Sequence, residues 1–393
     1  MALSRCDVAQ ATVAMFFVVP SDELPGPAAC GGEVGKALHV HPQYACRACE
    51  TVVAEPAAPA IIDRGLPAPS LLAQVLLAKY TDHLPLYRQQ AIYARAGVEL
   101  PRSTLADWVG ACGVALQPLA DRLREQACLH ADETPVDTLD PGNGKTRQSY
   151  LFAYRSTAGP PIVVFDYADS RSGKHAREFL GDWRGALMVD DYAGYKALFR
   201  EGVTELACWV HVRRKFVEVV QASGSALAQE AVERIGALYR IEAEAKEQGL
   251  QGEALRAYRQ QHAAPRLAEL HAWLQALGVQ ALKNSSLAKA VNHALGRWSA
   301  LLRYLDDGGR PIDNNPIENA IRPITLGRKN WLFIGGTNAG PRAAAIMSLV
   351  ATAKANGLCP QAWLTDVLTR LPTTRNRDID SLLPISGWVA VGG

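Results

Sequence analysis

Between residues 129 and 210 the hydrophobic pattern changes period in an order that few folds accommodate. Residues 129–139 (LHADETPVDTL), 149–155 (SYLFAYR) and 161–167 (PIVVFDY) are short strand-like runs separated by polar, glycine-containing turns, and they predict a three-stranded meander. After them residues 174–180 read as a helix, 186–190 (ALMVD) as a fourth strand, 195–199 as a helix and 205–210 (ELACWV) as a fifth strand. Three consecutive strands followed by alternating helix and strand build one mixed sheet with helices packed on it, which is an α/β architecture.

This is the order of the ribonuclease H-like fold, in which the first and fourth strands are neighbours. The core is expected over residues 126–345, interrupted at about 218–308 by an all-helical insertion, because residues 212–305 are rich in Ala, Leu, Glu, Arg and Gln and poor in β-formers. Ahead of it, residues 70–125 predict a small helical domain. Ser70 is placed to cap a first helix, a second over 86–95 ends at Gly97, and Arg102 to Thr104 open a third. Helix, glycine turn, helix is a helix-turn-helix outline whose last helix would enter a major groove, although such units also serve as plain packing modules. Residues 54–69 form a Pro/Ala linker, 1–53 an irregular N-terminus with a partial zinc-binding motif, and 346–393 a helical tail.

Composition narrows the setting more than the function. A net charge of +2 creates no global field, so any polyanion must be met by local clusters. Eight cysteines over 393 residues are too few for a disulfide scaffold, and the close pair Cys46 and Cys49 has the spacing of a metal or redox centre, so a reducing cytoplasm is expected. The apolar stretch 13–20 is too short to span a bilayer, and no membrane partner is expected.

Asp132 follows a short apolar approach on the first strand, and Asp190 ends the most hydrophobic strand of this half. Strand order would bring them side by side, where two carboxylates repel unless a divalent ion lies between them. Glu318, opening a helix after the insertion, would supply a third oxygen. Two ions roughly 3.5–4 Å apart can activate an attacking oxygen and stabilise a leaving one at phosphorus. Hard oxygen donors favour Mg²⁺, with Mn²⁺ as substitute. Simpler roles compete: Asp132, Glu133 or Asp137 could cap a turn, Asp191 stands beside Asp190, and Glu318 fits the third position of a capping box begun by Asn315 and Pro316.

The runs HADETPV (130–136), VDDYAGY (189–195), ACWVHVRRKF (207–216) and DNNPIENAIRPITLGRKNWLF (313–333) resemble the transposase of the insertion sequence 66 family. The likeness extends through YACRACE (44–50), KYTDHLPLYRQ (79–89), GVELPRSTLADWV (97–109) and LCPQAWLTDVLTRL (358–371), roughly residues 44 to 385. It implies a DDE transposase whose Asp-Asp-Glu centre falls on Asp132, Asp190 and Glu318, with Asp191 in a place usually held by glycine. The implied reaction is hydrolytic release of a 3′ hydroxyl at the element ends and attack of that hydroxyl on target DNA. Family members also carry two cysteine pairs for zinc, of which this chain keeps the second, Cys46 and Cys49; Pro27 stands where a partner of Cys30 would be. A tetrahedral zinc site needs four ligands, and Cys6, Cys30, His39 and His41 are the candidates to complete it.

Two basic clusters, His211, Arg213, Arg214 and Lys215 after the fifth strand, and Arg322, Arg328, Lys329 and Arg342 after Glu318, are expected to flank the metal site and bind DNA phosphates, the alternative being solvated helix faces. Trp331 and Phe333 beside them could stack on an unpaired base or simply fill the core. The expected partners are element ends and target DNA, a second copy of the chain on DNA, and small accessory proteins encoded by the same element. Two other readings stand beside this one: a catalytically silent DNA-binding remnant, and a ribonuclease H-like nuclease without strand transfer.

Overall fold

The short runs between 128 and 207 assemble into a single five-stranded sheet, of which the run VVFDYA is the richest in β-branched and aromatic residues. The computed structural model describes residues 59–385 apart from 63, 64, 66, 115–118, 141, 143 and 337, together with Trp388 and the N-terminal strands β1 (Val8–Pro20), β2 (Gly32–Ala45) and β3 (Val52–Ala54). Helices α1 (Pro69–Tyr80), α2 (Leu86–Arg95), α3 (Arg102–Val114) and α4 (Leu119–Arg124) follow. Next come β4 (Cys128–Asp140), β5 (Lys145–Ser156), β6 (Val163–Ala168), α5 (Gly173–Leu180), β7 (Ala186–Val189), α6 (Lys196–Arg200) and β8 (Thr204–Ala207). The remainder is helical: α7 (Trp209–Ser223), α8 (Ala226–Glu247), α9 (Gly252–Gln280), α10 (Ser286–Gly296), α11 (Trp298–Leu302), α12 (Asn315–Trp331), α13 (Ala339–Ala355) and α14 (Pro360–Arg370).

The chain divides into two compact units, one gathering Asp121–Pro135 and Gln148–Arg322, the other Met1–Ala120, Val136–Arg147 and Pro323–Gly393. In the first, the strand order is β6-β5-β4-β7-β8, with β5 and β6 antiparallel and β4, β7 and β8 parallel. The expected mixed α/β sheet is thus present. All four residues of β7 are buried, as an interior parallel strand covered on both faces requires. Beyond the sheet, Phe216, Ile235, Leu267, Leu274 and Val291 from α7 to α10 close a helical core, where Trp209 meets Trp298 edge to face with ring centres 5.6 Å apart. Within that core Arg259 is 3% exposed; it binds Glu242 through two bonds of 2.8 and 2.7 Å and donates to the carbonyls of Tyr304, Asp307 and Arg310 at 2.9, 3.1 and 3.0 Å. That clamp shapes the turn leading into α12.

In the second unit α1 packs against α14 and α3, with Leu71, Leu76 and Trp363 fully buried. The indole N–H of Trp363 donates to the Leu382 carbonyl at 3.0 Å. Gly97, between α2 and α3, has φ +75°, a conformation that favours glycine and turns the chain between the two helices. No helix among the described residues is long and apolar enough to cross a membrane.

Two local expectations are corrected. The fifth strand stops at Ala207 instead of continuing to 210, and Trp209 and Val210 begin α7. Cys-Trp-Val has strand propensity, but Trp209 is fully buried among the helices with its indole N–H on the Leu301 carbonyl at 3.1 Å, so tertiary packing overrides the local preference. The N-terminal segment, expected to be irregular, contains β1 paired antiparallel with β2, and β2 with β3. An antiparallel ladder is held by main-chain bonds and needs no long hydrophobic period. Cys46 and Cys49, the proposed zinc pair, lie outside the described residues, as do Cys6 and Cys30.

Candidate active site

Parallel pairing sets Cys128, Leu129 and His130 of β4 opposite Ala186, Leu187 and Met188 of β7. Carried on in the same register, Asp132, the fifth residue of β4, falls level with Asp190, which directly follows the last residue of β7. Each carboxylate is oriented by a main-chain donor: Glu133 N–H to Asp132 Oδ1 and Tyr192 N–H to Asp190 Oδ1, both 2.8 Å. Burial, then the charges of Glu133, Asp190 and Glu318, push the Asp132 carboxyl up to about 7, against the partial relief of its main-chain bond. Asp191 turns elsewhere, to Arg297 at 3.3 Å and His293 at 3.7 Å. Of the two adjacent aspartates, Asp190 is therefore the one that shares a field with Asp132.

Glu318 reaches the same field through the start of α12. Asn314 is fully buried; its amide N–H donates to the Ala131 carbonyl and its amide oxygen contacts His130 Nδ1, both at 2.9 Å. Burial pushes His130 down to about 4, so the ring is neutral near pH 7 and donates Nδ1–H to that oxygen. The main-chain N–H of Asn314 also meets Cys208 Sγ at 3.2 Å, which ties α12 to the end of β8 as well as to β4. Asp313, not Asn315, caps the helix by accepting from Asn315 N–H at 3.0 Å. The capping-box role considered for Glu318 is thereby displaced, since its carboxylate faces Arg214 at 3.4 Å and His211 at 3.7 Å. Its Oε1, the oxygen that faces His211 Nε2, is buried and accepts no hydrogen bond, and Nδ1 of His211 makes none either. A buried carboxylate oxygen without a donor costs free energy that a cation would recover.

A second buried carboxylate was not singled out by sequence beyond a capping role. The Glu133 side chain is 1% exposed and is held by Arg171 through bonds of 2.9 and 2.6 Å and by the Tyr195 hydroxyl at 3.0 Å. The Arg171 guanidinium also lies 4.1 Å from the Tyr192 ring centre, and Tyr192 donates back to the Arg171 carbonyl. Burial raises the Glu133 carboxyl despite these donors. The only sequence signal was its adjacency to Asp132; its partners lie 38 and 62 residues away and could not be paired by spacing.

The basic residues distribute as follows. His211, Arg213, Arg214 and Lys215 occupy the first two turns of α7; Arg213 is exposed and Lys215 pairs with Glu218 at 3.5 Å. Arg322 is exposed on α12 in this unit, whereas Arg328, Lys329 and Arg342 belong to the other. Among the described residues no group of three or more His, Cys, Asp and Glu side chains is spaced to hold a metal ion as it stands. The donor chemistry nevertheless fits a hard divalent cation: aligned Asp132 and Asp190, excess negative charge, and the unpartnered oxygen of Glu318.

Comparison with known proteins gives the family. Residues 64–342 match the family model described as "Transposase IS66 family", and residues 348–385 match the IS66 C-terminal element. Two similar relatives are uncharacterized proteins of Sinorhizobium fredii: y4jD, 39% identical over 366 residues covering 88% of this chain and 71% of the relative, and y4qI, 38% identical over 366 residues covering 87% and 67%.

Proposed function

The chain belongs to the IS66 transposase family, and from that premise we propose that it is a DNA transposase with a ribonuclease H-like core. It releases a 3′ hydroxyl at each end of its element by hydrolysis and joins that hydroxyl to target DNA. The strand order β6-β5-β4-β7-β8, antiparallel and then parallel, supports that core, and α7 to α11 are its helical insertion. The observation that carries the reading is the shared register of Asp132 and Asp190 with the unpartnered oxygen of Glu318 in their field.

In this reading Asp132, Asp190 and Glu318 are the catalytic residues and hold Mg²⁺, with Mn²⁺ as substitute. The bound ions supply activation of the attacking oxygen and stabilisation of the leaving one in an in-line displacement at phosphorus. Glu133, fixed by Arg171 and Tyr195, holds the stretch of β4 beside Asp132 in place. Arg214 and His211, already against Glu318, receive the scissile phosphate, and Arg213, Lys215 and Arg322 contact neighbouring phosphates. Arg328, Lys329 and Arg342 bind DNA from the other unit, where α2, Gly97 and α3 form the helix-turn-helix of a domain over residues 70–125. Synapsis of two ends calls for more than one copy of the chain on DNA, with accessory proteins of the same element as further partners, in the cytoplasm.

The test is Mg²⁺-dependent nicking of a duplex carrying the element end. Asp190→Ala is expected to reduce it to background while Asp191→Ala retains it; equal loss in both, or no nicking by the unaltered chain, sinks the reading. Joining of a pre-cut end to plasmid DNA separates a transposase from a nuclease that lacks strand transfer.

A further inference from the structure

A cavity of about 970 Å³ opens in the unit that contains α1, α2 and α3, and its lining also takes Leu139 from the end of β4 and Asn330 and Trp331 from the end of α12, all within this unit. Its size is that of a small-molecule or nucleotide site. Its walls combine cations, Lys79, Arg102 and Arg342, with aromatic rings, Tyr80, Tyr87, Trp331 and Phe333, and no acidic residue lines it among the described residues. Positive charge without a carboxylate partner in the wall selects an anion, and the rings offer flat faces to a base.

Two further features show that this wall is built for a guest. Arg342 lies along α3 because that helix carries glycine at 110 and 113: a Cβ at Gly113 would come within 2.7 Å of Arg342 Cβ, and one at Gly110 within 2.8 Å of its Nη1. Helix interiors disfavour glycine, so the pair serves to seat the guanidinium in the groove. Leu332, also in the lining, adopts φ +59°, a left-handed conformation costly for a branched residue. The chain there is pinned on the next residues by Ile334 N–H to the Asp137 carbonyl at 2.9 Å and Leu139 N–H to the Gly335 carbonyl at 2.8 Å. Strain of this kind persists where surrounding contacts over-determine the backbone, and it clusters at ligand sites. Leu332 is 65% exposed and Phe333 37% exposed, and Tyr87, in the same lining, is 53% exposed.

We infer that this cavity takes an unpaired DNA segment, with bases stacked on Phe333 and Tyr87 and phosphates met by Arg102, Lys79 and Arg342. The inference rests on the transposase reading and adds to it a form of substrate: a single-stranded tail or unstacked nucleotide next to duplex. A duplex alone would not present base faces to the rings.

Binding of the full chain to a short blunt duplex and to the same duplex with a 3′ single-stranded tail tests this, by fluorescence anisotropy and by 2-aminopurine placed in the tail. Stacking of one base corresponds to a preference of roughly 5- to 150-fold for the tailed duplex, with quenching of the 2-aminopurine. Phe333→Ala and Tyr87→Ala, both at exposed positions, are expected to remove most of that preference and the quenching while thermal unfolding and affinity for the blunt duplex stay as they were. Equal affinity for both duplexes, or a preference untouched by both substitutions, overturns the inference and leaves the cavity to a protein partner. If nicking requires Asp190 yet no tail preference exists, the inference fails alone. If the tail preference holds while nicking ignores Asp190, the catalytic reading fails and the cavity stands as a single-strand site.

Discussion

Burial, and after it the charges of three neighbouring carboxylates, push the Asp132 carboxyl up to about 7. The sign of its effect on stability follows from linkage. In the unfolded chain it ionises near its ordinary value of 3.8, so between about 4 and 7 the unfolded state has lost a proton that the folded state keeps. Stability in the absence of metal therefore falls as pH rises through that window. Asp132→Asn removes the penalty, and above pH 7 it is expected to stabilise the metal-free protein by about 1–3 kcal/mol, with no gain at pH 4, as read from urea unfolding at several pH values. A gain that is equal at all pH values would show that the crowding is not electrostatic. Glu133 acts through its neighbours: Arg171→Ala removes the charged partner of a carboxylate that is 1% exposed and leaves it only the Tyr195 hydroxyl, and nicking is expected to drop about 10–100-fold, with a higher Mn²⁺ concentration needed to restore it. Unchanged metal dependence would reduce Arg171 to a surface contact. Of these residues, Asp132 and Asp190 were readable because strand order alone makes β4 and β7 neighbours. The grip of Arg171 and Tyr195 on Glu133 was not, since it depends on side-chain geometry across a folded sheet.

At the scale of elements, α12 is placed by two devices: the Asn314 bonds to His130 and Ala131, and the turn before it, held by Arg259. Arg259→Ala leaves Glu242 without its buried partner and three carbonyls without a donor, so unfolding free energy is expected to fall by about 3–5 kcal/mol in denaturant titration. A loss below about 1 kcal/mol would mean that the turn holds by itself. Asn314→Ala should cost less stability but loosen α12 beside Asp132, lowering nicking more than folding. Elements with a sustained period were legible: the three strands of the meander, β7, and the helices after α7. The boundary at Trp209 was not, because a buried indole chose helix against local propensity, nor was the cap at Asp313, since Asn315 and Pro316 fit the same motif two residues later. The helical tail was expected only from 346, and the start of α13 at Ala339 was not legible because ten of its residues are buried and its apolar character runs all round, leaving no stripe to read.

In the molecule as a whole, a sheet aligns two aspartates and a helix returns a glutamate after a long helical detour, within a chain of the IS66 transposase family. Composition was almost silent at this scale, since a net charge of +2 conceals clusters that only folding assembles. Metal binding is the claim on which the rest depends, and titration of Mn²⁺ into the full chain at pH 8, followed by electron paramagnetic resonance, measures it without any assumption about DNA sequence. The account predicts binding that weakens at least tenfold in Asp132→Asn, Asp190→Asn and Glu318→Gln, stays intact in Asp191→Asn, and fades as pH falls below 7. Equal Mn²⁺ affinity in the unaltered chain, Asp132→Asn and Asp190→Asn would contradict it.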